Sequence, residues 1–354
     1  MENSFFIFSD NETPIRIERF HICTWEFKND TSLIEFGCEI FRDCLTADQL
    51  SISLFIPWLT EDLETGDLYN KLSIPENSRF IFNDSINGTD SLDGGLNRLG
   101  VIHRFTNRDP LCILPISIKA TAQVLKVIIN LQPYQQSSAE PKPNIYFRFW
   151  IRPKLAHISM RKKGVNKSTV IYDIKINERR NIPSSELAYF ADKSFCTIDH
   201  CFLFNIIPNK YEIVFIDNSS LKNVRTLEYN SFERYLGDRR VKNDELIVFF
   251  NKKQHSDSFS FFSIYSKERI GTGQFALAIL ANIFSGFLLF IPGYRKAQTP
   301  PIPLISIWKH LPIEVFAAFT IAIITLLYFI WPPIAASVMS LIIRIRRKIK
   351  WGQK

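Results

Sequence analysis

The residues whose types and spacing point most clearly to chemistry are basic. A run of Lys and Arg follows a predicted strand, NIYFRFWIRP over residues 144–153, in which aromatic and Arg side chains alternate with apolar ones. Arg beside aromatic rings can bind phosphate and stack on bases. The sequence therefore predicts contacts with an anionic partner or with lipid at Arg148, Arg152, Arg161, Lys162, Lys163 and Lys167.

Three kinds of partner remain open for these basic residues. A nucleic acid is one. Anionic lipid is another, because each basic residue near a membrane surface adds about 1 kcal/mol of attraction. The third is the chain itself, since residues 1–140 carry a net charge of −9 and residues 141–270 carry +9.

The sequence contains none of the familiar catalytic motifs. It has no phosphate-binding Gly-x4-Gly-Lys-Ser/Thr loop, no Gly-x-Gly-x-x-Gly after a strand and no Gly-x-Ser-x-Gly elbow. Cys196, His200 and Cys201 lack the spacing of common zinc sites, and we interpret them as residues flanking a strand. We therefore predict no enzyme, no metal and no cofactor, with an enzyme of unfamiliar active site as an alternative.

Two long apolar runs in the last third of the chain predict membrane helices. Residues 271–293 carry no charge, and at ~1.5 Å per residue they are long enough for a hydrocarbon core of ~30 Å. A second uncharged run is interrupted at Pro332 and predicts a helix over 313–331. Residues 334–354 then read as a basic amphipathic tail. One long tilted span is the alternative to this kinked arrangement.

Lys and Arg flank both predicted helices and predict their orientation. The basic bias places both chain termini in the cytoplasm and residues 294–312 in a short external loop of a multi-pass membrane protein. The N-terminal sequence is acidic and does not resemble a signal peptide, so we expect the six cysteines to be free thiols. The tail supplies further predicted lipid or anion contacts at Arg344, Arg346, Arg347 and Lys348.

Small and polar side chains recur at helical spacing in both apolar runs. Small residues allow close approach of helices in lipid, and a buried Asn can hydrogen-bond across such an interface. The two helices of one hairpin could pack through them, or several copies could line a pore with one Asn near its lumen. The predicted packing or pore-lining residues are Ala278, Asn282, Ser285, Gly286, Ala318, Ala322 and Thr325.

Residues before the apolar runs read as short strands rich in Ile, Phe and Val. They predict a mainly β cytoplasmic region of sandwich-like or barrel-like modules, followed by the two-helix transmembrane hairpin and the basic tail. We expect an acidic β-rich module over 1–131, a polar Pro-containing linker or loop over 132–144 and a basic β-rich module over 145–268. One double-sheet domain or two successive domains both remain possible.

Several local patterns carry finer predictions. RFIFNDSI, residues 79–86, reads as a strand, and residues 201–217 and 245–265 each read as a hairpin. The strand over 145–152 reads as half-buried, with Tyr146, Arg148, Trp150 and Arg152 on its outer face.

A large cytoplasmic β-rich region followed by a two-helix membrane hairpin over 271–343 resembles the two-transmembrane effectors of bacterial retron anti-phage systems. The resemblance implies a toxin of abortive infection that a reverse transcriptase, with its non-coding RNA and DNA, holds inactive. Its release would perturb the inner membrane, with possible homo-oligomers formed through the transmembrane helices. The alternative function is a membrane-anchored binding or scaffold protein whose hairpin is a passive anchor.

Overall fold

The structure, a computed structural model, divides into two compact units. The first comprises Met1–Lys163 and Ser168–Lys267, and the second comprises Gly164–Lys167 and Glu268–Lys354. The described residues are 3–10, 14–27, 32–139, 141–153, 158–164, 167–217, 220–241, 245–253, 258–269, 272–297, 300, 303–313, 315–316, 319–320, 322–324 and 327.

The first unit is mainly β. Its strands among the described residues are β1 (Ser4–Ser9), β2 (Arg16–Glu26), β3 (Ser32–Ile40), β4 (Gln49–Phe55), β5 (Thr65–Asp67), β6 (Ile86–Ser91), β7 (Val101–Phe105), β8 (Leu111–Ile113), β9 (Ser117–Thr121), β10 (Val124–Asn130), β11 (Asn144–Ile151), β12 (Met160–Lys163), β13 (Lys167–Ile176), β14 (Ser194–Phe195), β15 (Thr197–Pro208), β16 (Glu212–Ile216), β17 (Leu221–Thr226), β18 (Glu245–Lys253) and β19 (Phe259–Glu268).

These strands form two mixed sheets. The nine-stranded sheet has the order β16-β19-β13-β1-β4-β10-β9, with β12 paired to β13 and β14 paired to β1. The ten-stranded sheet has the order β17-β18-β15-β2-β3-β11-β8-β7-β6, with β5 paired to β11. Apolar side chains from both sheets form one core, in which Phe5 of β1 meets Phe36 of β3 with ring centroids 5.4 Å apart.

Helices cover the outer face of the ten-stranded sheet. They are α1 (Tyr69–Leu72), α2 (Pro75–Phe82) and α5 (Tyr229–Leu236); the short helices α3 (Gln132–Gln135) and α4 (Leu187–Phe190) lie elsewhere in the unit. A second core joins Leu72 of α1 and Tyr235 of α5 to Trp25 of β2 and Tyr146 of β11. Because this sheet is covered on both sides, β2 and β3 are buried along almost their whole length rather than alternating.

The prediction that β11 is half-buried is therefore wrong. Tyr146 is fully buried and Arg148 is 4% exposed, while Trp150 is half-buried. Only Arg152, which follows the strand, is exposed as predicted. The helices cover the face of β11 that the alternation of side chains assigns to solvent. The sequence of the strand itself does not indicate that helices pack there.

Segments 1–131 and 145–268 do not form separate modules, since each contributes strands to both sheets. β1 pairs in parallel with β13, and β2 pairs in parallel with β15. Of the two open alternatives, the strands therefore form one double-sheet arrangement. The segment between β10 and β11 connects strands within it, and its Tyr134 is buried. The opposite charges of the two segments meet in ion pairs such as Arg148–Glu35 and Lys193–Asp10.

Both predicted hairpins are wrong. β15 belongs to the ten-stranded sheet and β16 to the nine-stranded one, and β18 and β19 are divided in the same way. The chain crosses from sheet to sheet at each turn, so consecutive strands face each other across the core. Residues 79–82 of the predicted strand RFIFNDSI end helix α2, which begins with Pro75 at a position where proline is well tolerated.

The second unit contains α6 (Thr272–Ala297), with Pro292 inside it. Leu277–Ala297 has a mean hydropathy of 1.8 and no buried side chains, so by length and composition it can cross a membrane. A second helix over 313–331 stays a prediction, because the structure describes only part of that range. The predicted tail over 334–354 lies outside the described residues.

Candidate anion-binding pocket

A cavity of about 430 Å³ opens on the outer face of the ten-stranded sheet. Side chains of β2, β15, β17 and β18 form its floor, and residues 80–83 at the end of α2 together with Phe232 of α5 form its walls. The volume lies within the roughly 300–1,000 Å³ typical of small-molecule sites.

Strand register brings distant residues together on this floor. Phe202 of β15 lies opposite His21 of β2, and Phe204 lies between Cys23 of β2 and Phe249 of β18. Alternate residues of a strand share a face, so these side chains all point away from the sandwich core. Phe202, Phe204 and Phe249 are half-buried, which leaves part of each ring open to the cavity.

The three rings form a row of nearly parallel planes. The Phe249 ring contacts the other two, with its centroid 4.6 Å from that of Phe204 at an interplanar angle of 2° and 5.8 Å from that of Phe202 at 23°. Offset stacking of this kind is favourable because the ring quadrupoles are complementary. The parts of these rings that are not covered by one another make the lining of the cavity aromatic.

The lining is strongly basic, and no carboxylate is among the described residues that form it. Its cationic members are Arg19, Arg108, Arg148, Lys222 and Arg225.

Buried carboxylates behind the lining hold two of these cations. Arg148 pairs with Glu35, and an Arg108 nitrogen lies 2.7 Å from Glu39. Burial opposes a charge on Arg148, but Glu35 outweighs it, so the pKa of Arg148 is raised and the guanidinium stays charged.

The other three cations have weaker ion pairs or none among the described residues. Arg19 lies 3.8 Å from its nearest carboxylates, and Arg225 makes an exposed pair with Glu228 at 3.2 Å. Lys222 is exposed, and the structure shows no ion pair for it within the described part of the chain. A ligand anion could therefore gain contacts with these three side chains at little cost in existing pairs.

His21 lies on the floor as a neutral ring. Burial lowers its pKa first, and the nearby Arg148 and Arg108 lower it further. The His21 Nδ1 atom lies 2.9 Å from the Tyr146 hydroxyl, which crosses over β3 at Gly37. A Cβ atom at Gly37 would overlap that hydroxyl, so glycine permits this contact.

The described lining is suited to binding. Burial, followed by the charge of Glu35, raises the pKa of Cys23, which keeps this thiol protonated. His21 and Cys23 are thus both neutral at neutral pH, and the remaining polar side chains offer positive charge and two amides, Asn83 and Asn223, beside the aromatic rings.

Of the predicted basic residues that the structure describes, only Arg148 lines the cavity. Arg152 pairs with Glu64 at the surface, and Arg161 lies 2.6 Å from the buried Glu26. Lys162 and Lys167 are exposed, and Lys163 lies on β12 opposite Ser168. Intramolecular pairing therefore accounts for three of the six predicted contacts. The tail residues Arg344, Arg346, Arg347 and Lys348 lie outside the described residues.

The small-residue face of α6 is open in the second unit. Ala278, Asn282, Ser285 and Gly286 are exposed, and no atom of the described residues lies within 4 Å of a Cβ built on Gly286. The Ser285 hydroxyl donates to the Ala281 carbonyl 2.8 Å away. Ala322 lies in a described helical stretch, whereas Ala318 and Thr325 lie outside the described residues.

A different face of α6 makes the observed contacts. Phe287 stacks on Phe319 with centroids 4.1 Å apart, and Ile291 and Tyr294 pack against Leu311. Within the described residues, the predicted small-residue stripe thus does not join α6 to the segment that follows it.

The candidate zinc ligands do not converge. His200 and Cys201 are neighbours on β15 and therefore point to opposite faces of the sheet, and Cys196 and Cys201 are buried. No group of three His, Cys, Asp or Glu side chains suited to a metal occurs among the residues that the structure describes.

Sequence reasoning missed most of the pocket. Lys222 and Arg225 carry no local motif, and Arg19 lies in a strand interpreted only as β. The one available signal was the recurrence of Phe at alternate positions in CFLFN, residues 201–205, which places two rings on one face. What that face would meet depends on the pairing of β15 with β2 and β18.

Comparison with known proteins leaves the family open. No family model and no curated protein matches the chain. Among solved structures, the Fcho1 Mu homology domain of Danio rerio with bound Eps15 peptide aligns over 74% of this chain and 82% of that chain, at 7% identity and a TM-score of 0.16. A TM-score this low supports no inference about fold or function.

Proposed function

We propose that this protein is a membrane-anchored binding protein and not an enzyme. Its β unit binds a small anionic ligand in the basic cavity, and α6 holds the chain in a membrane. The observation that carries the proposal is a concave lining of five cations with no carboxylate among its described members, in a chain that also has a helix apolar enough to span a bilayer.

The lining favours an anion for an electrostatic reason. Like charges gathered in a cleft raise the local concentration of oppositely charged ligands, and low-dielectric walls such as the Phe rings strengthen the effect. Arg and Lys also make charge-assisted hydrogen bonds, which are stronger than neutral ones.

The binding half of the proposal is tested by titrating the detergent-solubilised full chain with ribose 5-phosphate and with ribose. The phosphate ester should bind and the neutral sugar should not, and Lys222→Glu should weaken the binding. Lys119→Glu, an exposed position on β9 of the other sheet, is the matched control. Equal binding by the Lys222→Glu and Lys119→Glu proteins would count against the pocket.

The anchoring half is tested by membrane fractionation. Leu288→Arg places a charge near the middle of α6, where insertion scales assign a cost of about 3 kcal/mol. The substitution should move protein from the carbonate-resistant membrane fraction to the soluble fraction. Ala297→Arg, beside the existing Arg295 and Lys296, is the control and should leave the distribution unchanged.

A second candidate is a membrane-perturbing effector of an abortive-infection, retron-type system. The open small-residue face of α6 favours it, because such a face suits close packing of copies in lipid. In this candidate both termini lie in the bacterial cytoplasm, the hairpin oligomerises, and a reverse transcriptase with its non-coding RNA and DNA restrains it.

Inducible expression with a membrane-potential dye tests the effector candidate. Depolarisation on expression, relieved by Asn282→Leu or Gly286→Leu, is the expected result. Leu277→Ile, at an exposed position of α6 outside the small-residue face, should leave depolarisation unchanged. Cells that keep full potential at high expression would contradict the candidate and leave the binding proposal intact.

A further inference from the structure

We propose that the cavity on the ten-stranded sheet binds a nucleotide, with its base against the row of Phe rings and its phosphate at the cations of β17. The inference rests on the proposed function, since it specifies the anion that the same cavity binds. It depends on the relative placement of rings and cations, and not on either feature alone.

The rings supply a base-stacking surface. The ring planes of Phe204 and Phe249 are nearly parallel, and the Phe202 ring also lies near the His200 ring, with centroids 6.0 Å apart at an interplanar angle of 13°. A nucleobase is a planar aromatic group, and every base has a face that can stack on such a platform. A sugar phosphate or a lipid headgroup lacks the planar group that would use these rings.

The cations lie at two sides of that surface. On β17, the edge strand, Asn223 pairs with Phe249 and Arg225 pairs with Ile247, so Arg225 and Lys222 lie one strand spacing, about 4.8 Å, beyond the row. On the opposite side, Arg19 lies on β2 two residues from His21. An aromatic group with an anionic substituent can therefore meet rings and positive charge at once.

The size of the cavity restricts the ligand to a small molecule. Its volume of about 430 Å³ suits a single nucleotide, and the end of α2 and Phe232 line it. Single-strand binding proteins instead use an extended basic channel with successive stacking platforms.

The test is isothermal titration of the detergent-solubilised full chain with matched probes. The probes are the common nucleoside 5′-monophosphates, ribose 5-phosphate, which lacks the base, and the free nucleosides, which lack the phosphate. At least one monophosphate should bind about 10-fold or more tightly than both of its fragments, because stacking contributes on top of the charged contacts.

Substitutions at two positions test separately where the base and the phosphate of the ligand bind. Phe249→Leu removes the central ring at similar volume and should reduce monophosphate affinity about 10-fold, while Phe249→Tyr retains it. Lys222→Glu should weaken the monophosphate but not the nucleoside. Phe215→Leu is the control, because Phe215 is 50% exposed on β16 in the other sheet. Thermal melting of each variant confirms that it is folded.

Each outcome decides the proposal. Loss of monophosphate affinity in Phe249→Leu and Lys222→Glu, but not in Phe215→Leu, supports it. If ribose 5-phosphate binds as tightly as the monophosphates, the nucleotide inference fails while the anion-binding function stands. If no anionic probe binds at millimolar concentration, both fail. Monophosphate binding that neither pocket substitution changes places the ligand elsewhere and overturns the inference.

Discussion

The Glu35 carboxylate and the Arg148 guanidinium form an ion pair that is almost completely buried. Two Arg148 nitrogens lie 2.7 and 2.6 Å from Glu35 Oε2, and the Trp25 indole and Tyr235 hydroxyl also donate to this carboxylate, at 2.6 and 3.0 Å. The pair joins strands from the acidic and basic segments and links the sheet to α5. It also holds one cation of the candidate pocket in place.

Glu35→Gln should destabilise the protein severely. The substitution leaves the buried Arg148 charge without a counter-ion, and breaking a buried pair in this way costs about 3–5 kcal/mol of the free energy of unfolding. Chemical denaturation of the solubilised chain measures the loss. Glu64→Gln removes the partner of Arg152 from a pair whose side chains are 44% and 63% exposed, and should cost at most about 1 kcal/mol. Equal losses in the two proteins would contradict the structural role of Glu35.

Gly37→Ala should destabilise the sheet locally. The added methyl group overlaps the Tyr146 hydroxyl and approaches His21, and overpacking of this kind costs about 1–3 kcal/mol. Tyr146→Phe in the same protein should recover part of the loss, because it removes the overlapping oxygen. Gly88→Ala, where the new Cβ meets nothing within 4 Å, should be close to neutral.

Asp67 should make stability fall with rising pH. Burial raises the pKa of its carboxyl to about 6, although the Ile116 and Tyr69 backbone N–H groups, 3.0 and 2.9 Å away, oppose the shift. The folded protein therefore retains this proton to a higher pH than the unfolded chain. Up to roughly 3 kcal/mol of stability is lost as the pH rises from about 4 to above 6.

Denaturation of wild-type and Asp67→Asn proteins across this pH range isolates the contribution, because other groups titrate equally in both. Between low and neutral pH, the free energy of unfolding of the Asp67→Asn protein relative to that of wild type should rise by up to the same roughly 3 kcal/mol. A constant difference between the two proteins would show that the Asp67 pKa is not raised.

Thiol accessibility should distinguish one cysteine. All six cysteines are free; Cys44 is half-buried and the other five are buried. Burial raises the pKa of the Cys38 thiol and raises that of Cys196 to about 12, which further suppresses their reaction. A thiol reagent should modify about one group per folded chain at a measurable rate and six after denaturation. A Cys44→Ser protein that still reacts before unfolding would contradict this burial pattern.

The sequence predictions that the structure confirms depend on local patterns. Ile, Phe and Val at alternate positions predict strands because one face of a sheet is buried, and β10 and β13 show the alternation. Residues 272–293 of the uncharged run lie within α6. Where helices cover the second face of a sheet, as over β11, the same alternation predicts the wrong exposure.

By itself the sequence determined a β-rich class and an apolar helix long enough for a bilayer, because composition and short-range periodicity decide these. Only the tertiary structure decided that β15 and β16 join different sheets, that Glu35 neutralises Arg148, and that Phe202, Phe204 and Phe249 form one row beside the β17 cations. Each of these depends on the register between strands far apart in the chain. That register is selected by how well the whole core packs, and no short stretch of residues contains this information.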